Sequence, residues 1–501
     1  MPSEGKSTAA SVRALVVFAA AAVAARLLTL GQPIVNIDEQ LYLLIGDRIL
    51  GGALPYVDIW DRKPPFLFAI YAGIRLLGGD GIAQAALAAL AFVIAGAFLV
   101  YRLALRLSGP TGALAAGVAY CWWSALTGGV LGQAGVFFNV FMALAALLLV
   151  RMIERGQGAR SILVPALAAM FLSGLAVQTK QSAVFEAAFF GLVVAAIAWR
   201  TRPPAAAIGI TAIAALAALA PSLAAVAIWQ GAGQLDALVF ATVTSATLRA
   251  PMEPGDYIWH LGASALMIAP LLAFAASGLR RGPPDPAAAQ PERRTVRLLL
   301  AGWLAVSLLA LLAYDRTFYD HYLLPVLVPA CVCAAPAFVR WRDYRLPLAA
   351  TAVALIVAVF ALQWNERAGT GGWRTIAALD TATSGQRNCP FSYGGPSAAY
   401  LLNDWCLPTR YAFAGHLVFA AEAPAIGTDA VAEVTRILAT RPDRIILRAR
   451  PNPKGNTQTR AVVIARLQRD YLLAARIDPD GLLVYRLKPG LVPLPNRVPR
   501  S

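Results

Sequence analysis

The feature that most constrains this chain is a series of apolar runs, each close to the length needed to cross a lipid bilayer, separated by short clusters of arginine. A helix needs about 20 predominantly apolar residues to span the hydrocarbon core, where only helices and closed barrels satisfy their backbone polar groups. The runs lie at residues 15–30, 83–103, 111–131, 136–152, 162–177, 183–199, 205–229, 261–276, 298–314, 323–339 and 348–362, which predicts about eleven spans. Of the 501 residues, 58% are hydrophobic and 14% are charged, against roughly 25% charged in an ordinary soluble domain. A soluble fold could not cover so much apolar surface. The expected fold is therefore an all-α polytopic membrane domain.

A net charge of +16 would raise the question of nucleic-acid binding in a soluble protein. Here the basic residues sit in alternate loops: Lys6 and Arg13; Arg102 and Arg106; Arg151, Arg155 and Arg160; Arg200 and Arg202; Arg280, Arg281, Arg293, Arg294 and Arg297; Arg340, Arg342 and Arg345. The positive-inside rule assigns that face to the cytoplasm, and no nucleic-acid partner is expected. An odd number of spans then sends the tail after Trp364 to the periplasmic side of a cell inner membrane. The N-terminus has the charge pattern of a signal peptide. Its apolar run continues through Leu30, however, so an uncleaved first span is expected.

The division expected along the chain is a membrane domain at 1–364, with an outer loop at 32–80 that carries the chemistry, and an extracytoplasmic α/β domain at 365–501. In the tail, 428–440 and 459–471 read as helices, and 444–448 and 481–487 as strands. In the loop, Asn36 followed three positions later by Glu39 forms a capping-box pattern. Leu41, Leu44, Ile45 and Ile49 then line one face, and Gly51 and Gly52 stop the helix. Such a helix is expected at the membrane interface with its polar face outward. A second begins near Pro65, with Lys63 held extended by the proline after it.

The chemistry-bearing run is Asn36-Ile-Asp38-Glu39-Gln40-Leu-Tyr42, followed by Gly51 through Tyr56, Asp58, Trp60, Asp61, Arg62, Lys63, Pro64 and Pro65. It gathers carboxylates and cations where the chain leaves the membrane. At these residues the sequence resembles the C-type membrane glycosyltransferases, especially the lipid-linked-sugar transferases related to protein O-mannosyltransferases and to bacterial lipopolysaccharide-modifying enzymes. The shared elements are the Asp38-Glu39 pair, the Gly52-to-Asp58 stretch and Lys63-Pro64-Pro65. Gln178-Thr179-Lys180 and the segment from Phe318 through Asp320, His321 and Tyr322 to Pro325 add to the likeness. Asp61-Arg62 departs from the lipid A-modifying pattern, in which a glutamate commonly precedes Lys-Pro. The resemblance covers most of the membrane part and none of the tail.

The resemblance implies transfer of a hexose or pentose from a polyprenyl-phosphate donor to a glycan, lipid or protein acceptor outside the cytoplasm. Displacement at an anomeric carbon needs a base for the acceptor hydroxyl and cations for the leaving phosphate. Asp38 is the expected base, its other reading being a helix-start residue. Glu39 is its companion, or a cap only. Lys63, Arg62, Lys180 and Arg316 are candidates for the donor phosphate; snorkelling to the interface is the alternative for Lys63, Lys180 and Arg316. Tyr42, Tyr56, Asp58, His321 and Tyr322 are candidate substrate contacts.

No cofactor is certain. His260, His321 and His416 fall at unrelated spacings and define no metal site, while an acidic outer site leaves a divalent metal open. Cys121, Cys331 and Cys333 fall in expected spans as small apolar residues. Cys389 and Cys406 lie in the tail, where an oxidising compartment would make them a disulfide. The rival reading is a transporter or flippase for a lipid-linked saccharide. Such proteins carry ionisable groups near the bilayer midplane, whereas here they cluster at the outer boundary.

Overall fold

The structure, a computed structural model, describes residues 2–155, 159–281, 291–314 and 319–494. Fifteen helices come first: α1 (Pro2–Ala24), α2 (Ile37–Leu50), α3 (Pro65–Arg75), α4 (Ile82–Ala104), α5 (Pro110–Leu126), α6 (Ala134–Arg155), α7 (Ala159–Val177), α8 (Val184–Thr201), α9 (Pro204–Gly231), α10 (Leu235–Val239), α11 (Ser245–Leu248), α12 (Pro254–Arg281), α13 (Pro291–Tyr314), α14 (Leu324–Val339) and α15 (Trp341–Ala368). Each of the eleven expected spans falls on one of them. Among the described residues, eight helices are long and apolar enough to cross a membrane; α1 and α7 contribute shorter apolar stretches.

The chain divides into two compact units, one of Met1–Leu28, Ala86–Ala225 and Glu253–Leu362, the other of Thr29–Ala85, Val226–Met252 and Gln363–Ser501. This grouping differs from the expected division in that the loop 32–80 belongs with the tail.

The first unit is a helical bundle organised on α14, whose span is 83% buried against 11% for that of α9. Gly278 of α12 explains one close approach: a Cβ there would lie 2.2 Å from the Cys333 carbonyl oxygen, so only glycine allows these backbones to meet. Cys121, Cys331 and Cys333 are buried thiols. Arg26 is buried too, and donates to the Ser124 hydroxyl (2.8 Å) and the Gly129 carbonyl (2.7 Å) at the end of α5, where helix carbonyls lack intrahelical partners. On α9, Ile208, Leu216, Leu219 and Leu223 point outward. Such a surface is stable against acyl chains rather than water.

In the second unit, Asn36 caps α2 by accepting the Asp38 N–H at 3.0 Å, and Gly52 (φ +89°) follows its C-terminal end. A Cβ at Gly46 would lie 2.5 Å from the Tyr71 backbone, so α2 and α3 cross in contact. The expected outward polar face is not seen in the first half of α2. Every residue from Glu39 to Gly46 is buried, because α3 and the tail enclose it. Gln40 accepts the Ala398 N–H (3.2 Å) and Arg48 donates to the Trp405 carbonyl (2.9 Å).

The tail contains α16 (Trp373–Thr383), β1 (Phe391–Tyr393), α17 (Ala398–Leu402), α18 (Ala430–Ala439), β2 (Arg444–Arg448), α19 (Thr457–Asp470), β3 (Tyr471–Ile477) and β4 (Leu482–Leu487). The sheet order is β1-β2-β4-β3. Ile445 of β2 pairs with Phe391 in parallel and with Tyr485 in antiparallel register. Cys389 and Cys406 are bridged, with Cα atoms 5.0 Å apart.

Candidate functional site

Asp38 and Glu39 stand in the first turn of α2, where the helix N-terminus favours negative charge. Asp38 is partly buried and Glu39 is buried. Tyr42 follows one turn later, packed on Tyr71 and Phe68 with ring centroids 5.7 and 6.2 Å away. Its buried hydroxyl has no hydrogen-bond partner among the described residues. Burial pushes this phenol well above its usual range, and the charges of Asp38, Asp61 and Glu39 push it further. Tyr42 is therefore a neutral donor in the field of three carboxylates.

The loop before α3 is shaped by Tyr56 and Asp58. Tyr56 adopts φ +74°, a strained conformation for a residue with a side chain. Its hydroxyl donates to the Lys63 carbonyl at 2.8 Å, and its ring packs on Phe68 and Trp229. Asp58 is exposed and accepts the Leu54 N–H at 2.7 Å. Both side chains are thus engaged in holding the turn that presents residues 61–63. Asp61 is buried and accepts the Lys63 N–H at 2.8 Å. Burial raises its carboxyl above the usual range, against the opposing charges of Lys63 and Arg62. Pro64 and Pro65 then start α3.

Arg62 is ion-paired with Glu422 and lies 5.8 Å from the Trp60 ring centre. Buried Glu422 also holds Arg249, at 3.0 Å. The Trp60 N–H donates to the Arg410 carbonyl (2.9 Å), and its ring meets His416 edge-on at 4.7 Å. Burial, reinforced by the charge of Arg62, holds the His416 imidazole well below its ordinary range, so it is neutral.

The first unit carries the remaining candidates. Lys180 is 3% exposed, with Nζ 4.3 Å from the Tyr322 ring centre, a cation–π contact. The His321 ring stands 4.6 Å from that of Tyr322 and stacks on Tyr319. Asp320 accepts the His321 N–H at 2.8 Å. Arg316 lies outside the described residues.

The structure thus gathers Asp38, Glu39, Tyr42 and Lys63 in the second unit, and Lys180, His321 and Tyr322 in the first. Asp61 joins the acidic cluster without having been singled out as a site residue. Its signal was present as a carboxylate between Trp60 and Arg62. Glu422 and Arg249 have no local signal, since they meet Arg62 only in the fold. Among the described residues, no three His, Cys, Asp or Glu side chains are grouped to hold a metal ion.

The helices long and apolar enough to cross a membrane make the protein a multi-pass membrane protein. It shares its fold with solved membrane proteins. It is similar to ArnT from Cupriavidus metallidurans bound to undecaprenyl phosphate, with a TM-score of 0.62 and 13% identity over 96% of this chain and 98% of that one. It is also similar to the oligosaccharyltransferase AglB from Archaeoglobus fulgidus in complex with an inhibitory peptide and a dolichol-phosphate (TM-score 0.54, 13% identity, 97% of this chain and 75% of that one). A third likeness is to the arabinofuranosyltransferase AftD from Mycobacteria (TM-score 0.50, 15% identity), whose length this chain covers to 40%. No protein-family model matches the chain, and no curated protein does.

Proposed function

We propose that this protein is a glycosyltransferase that moves a sugar from a polyprenyl-phosphate donor to a hydroxyl-bearing glycan, lipid or protein acceptor outside the cytoplasm. One observation carries the reading most directly: Asp38 and Asp61 both act on the buried Tyr42 hydroxyl, and Asp61 lies in the field of Lys63 and Asp38. Carboxylates and a lysine linked through Asp61 suit a base and a phosphate-binding cation in one reaction. Asp38 takes the proton of the acceptor hydroxyl as its oxygen attacks the anomeric carbon. The bond from that carbon to the phosphate oxygen breaks, and the polyprenyl phosphate leaves with the electron pair. Lys63 stabilises the charge that grows on the phosphate. Glu39 and Tyr42 shape the surroundings of Asp38.

The fold likeness supports this chemistry, since ArnT binds undecaprenyl phosphate and AglB a dolichol-phosphate in the structures matched. In the proposed topology the N-terminus is cytoplasmic and the tail periplasmic, as the arginine loops imply. The test uses purified full-length protein in lipid nanodiscs with undecaprenyl-phosphate sugars and an envelope extract as acceptor. Release of undecaprenyl phosphate together with a new glycosidic bond is expected. Movement of lipid-linked sugar between leaflets with no bond formed would replace the transferase reading with that of a flippase.

A further inference from the structure

Three spans of the first unit end at one crevice that none of these roles uses. Among the described residues it is lined by Leu105, Arg106, Glu154, Glu292, Arg293 and Val296, and its volume is about 280 Å³. One water occupies about 30 Å³ in the liquid, so a group of many atoms has room there. The apolar spans concerned run Ile82–Ala104, Ala134–Glu154 and Glu292–Ala313. Leu105 and Arg106 therefore follow directly on the first, Glu154 closes the second and Glu292 opens the third. Four charged side chains thus stand at the depth where helices leave the hydrocarbon and meet phospholipid headgroups.

The first two charges hold each other in place. Arg106 donates from Nε to Glu154 Oε1 at 2.9 Å and from Nη2 to Oε2 at 3.1 Å, while its Nη1 donates to the Arg102 carbonyl at 3.0 Å. This fork ties the chain just after α4 to the end of α6 and fixes both side chains at the wall of the crevice. Glu292 and Arg293 are consecutive in the first turn of α13 and are exposed. Val296, one turn further on, is buried and with Leu105 gives the crevice an apolar side.

Ligand classes separate by charge. Basic pockets between membrane helices suit anionic headgroups, but here two arginines are balanced by two glutamates and the formal sum is zero. A ligand with net negative charge gains from the arginines and is repelled by the carboxylates. A choline headgroup carries its positive charge on a nitrogen with no N–H group to donate to Glu154 or Glu292. A phosphate joined to a primary ammonium answers both signs at once: its oxygens accept from the guanidinium groups, and its three N–H bonds serve the carboxylates. We propose that this crevice binds a phospholipid with an ethanolamine headgroup, whose acyl chains stay in the hydrocarbon beside the same spans. Bound there, the lipid bridges α4, α6 and α13 at their arginine-bearing ends, and its binding is independent of the transfer reaction.

The test uses full-length protein, delipidated in detergent and titrated with phosphatidylethanolamine, phosphatidylcholine or phosphatidylglycerol of one acyl composition, with occupancy read by native mass spectrometry. The parent is expected to bind the ethanolamine lipid about tenfold more tightly than either of the others, the factor that a hydrogen bond to a charged group supplies. Glu292→Gln, at an exposed position where packing is undisturbed, removes one carboxylate and keeps the size of the side chain. It is expected to weaken the ethanolamine lipid about tenfold and to leave the choline lipid unchanged. Arg106→Gln, which takes a guanidinium from the phosphate, is expected to weaken both. Free phosphoethanolamine, the headgroup without its chains, is expected to bind far more weakly than the lipid. Equal binding of the three lipids by the parent, or a preference for the choline or glycerol lipid, would overturn the proposal. So would a Glu292→Gln variant that keeps the ethanolamine preference, an Arg106→Gln variant with unchanged binding, or free phosphoethanolamine that binds as tightly as the lipid.

Discussion

Glu422 closes an ion pair on Arg62 from 360 positions further along the chain, and holds Arg249 with the same carboxylate. Replacing it with alanine leaves two arginines without their shared counter-charge. Breaking a buried pair in this way costs about 3–5 kcal/mol, toward the lower end here because both arginines are partly exposed. Glu422→Ala is expected to lower the melting temperature of the purified protein, with Glu422→Gln in between. A melting curve identical to the parent's would show that Arg62 is held by other contacts.

Asp38 and Lys63 serve the proposed reaction differently. Asp38→Asn keeps the size and most hydrogen bonding but cannot take a proton, so turnover is expected to fall about 10²–10⁴-fold while donor binding persists. Lys63→Ala is expected to weaken donor binding and to slow transfer as well, because charge grows on the phosphate in the transition state. Steady-state rates alongside lipid-binding measurements separate the two. Normal transfer by Asp38→Asn would remove it as the base.

Asp61 gives a pH signature. Burial raises its carboxyl above the unfolded value, so its contribution favours the folded state at low pH and is lost as pH rises through the folded value. Asp61→Asn keeps an acceptor for the Lys63 N–H and removes the buried charge. Its melting temperature relative to the parent's is expected to climb as pH is raised from the carboxylate range to neutrality. A difference that stays constant with pH would mean that Asp61 is not destabilised by ionisation.

The bridge between Cys389 and Cys406 closes a segment with a sequence separation of 17, for which chain-entropy arguments give about 3 kcal/mol. Intact-mass analysis of unreduced, alkylated protein is expected to show both thiols blocked from alkylation. The double variant Cys389→Ser and Cys406→Ser should melt earlier than the parent. Two freely alkylated thiols in protein recovered from the envelope would contradict the pairing.

Topology is open to reporter fusion. A reporter active only outside the cytoplasm is expected to give signal when fused after Trp364 and none when fused near Arg293. The reverse pattern would place Asp38 and Lys63 on the cytoplasmic face and end the proposed use of an extracytoplasmic acceptor.

Helices were legible wherever a long apolar run left no other choice, as at α4 or α14, because lipid penalises every alternative. Elements set by distant partners were harder to read. Residues Tyr471 to Ile477 follow α19 without a break and consist largely of good helix formers, yet they form β3 because β4 offers a strand to pair with. The helical pattern of α2 was visible, but not its enclosure, since Ala398 and Trp405 carry no mark of contact with Gln40 and Arg48. The same limit applies to the site. Asp38 and Lys63 stand in a run that carries its own meaning, whereas Arg62 becomes intelligible only beside Glu422.

The enclosure of α2 by the tail also sets an order of events during synthesis. At ribosomal rates of about 5–20 residues per second, roughly 20–70 s separate the emergence of Gln40 from that of Ala398, which binds it. Through that interval the acidic turn at Asp38 exists as sequence without its finished surroundings. Whatever depends on that finished turn therefore arrives late, when the tail folds over a loop made long before it.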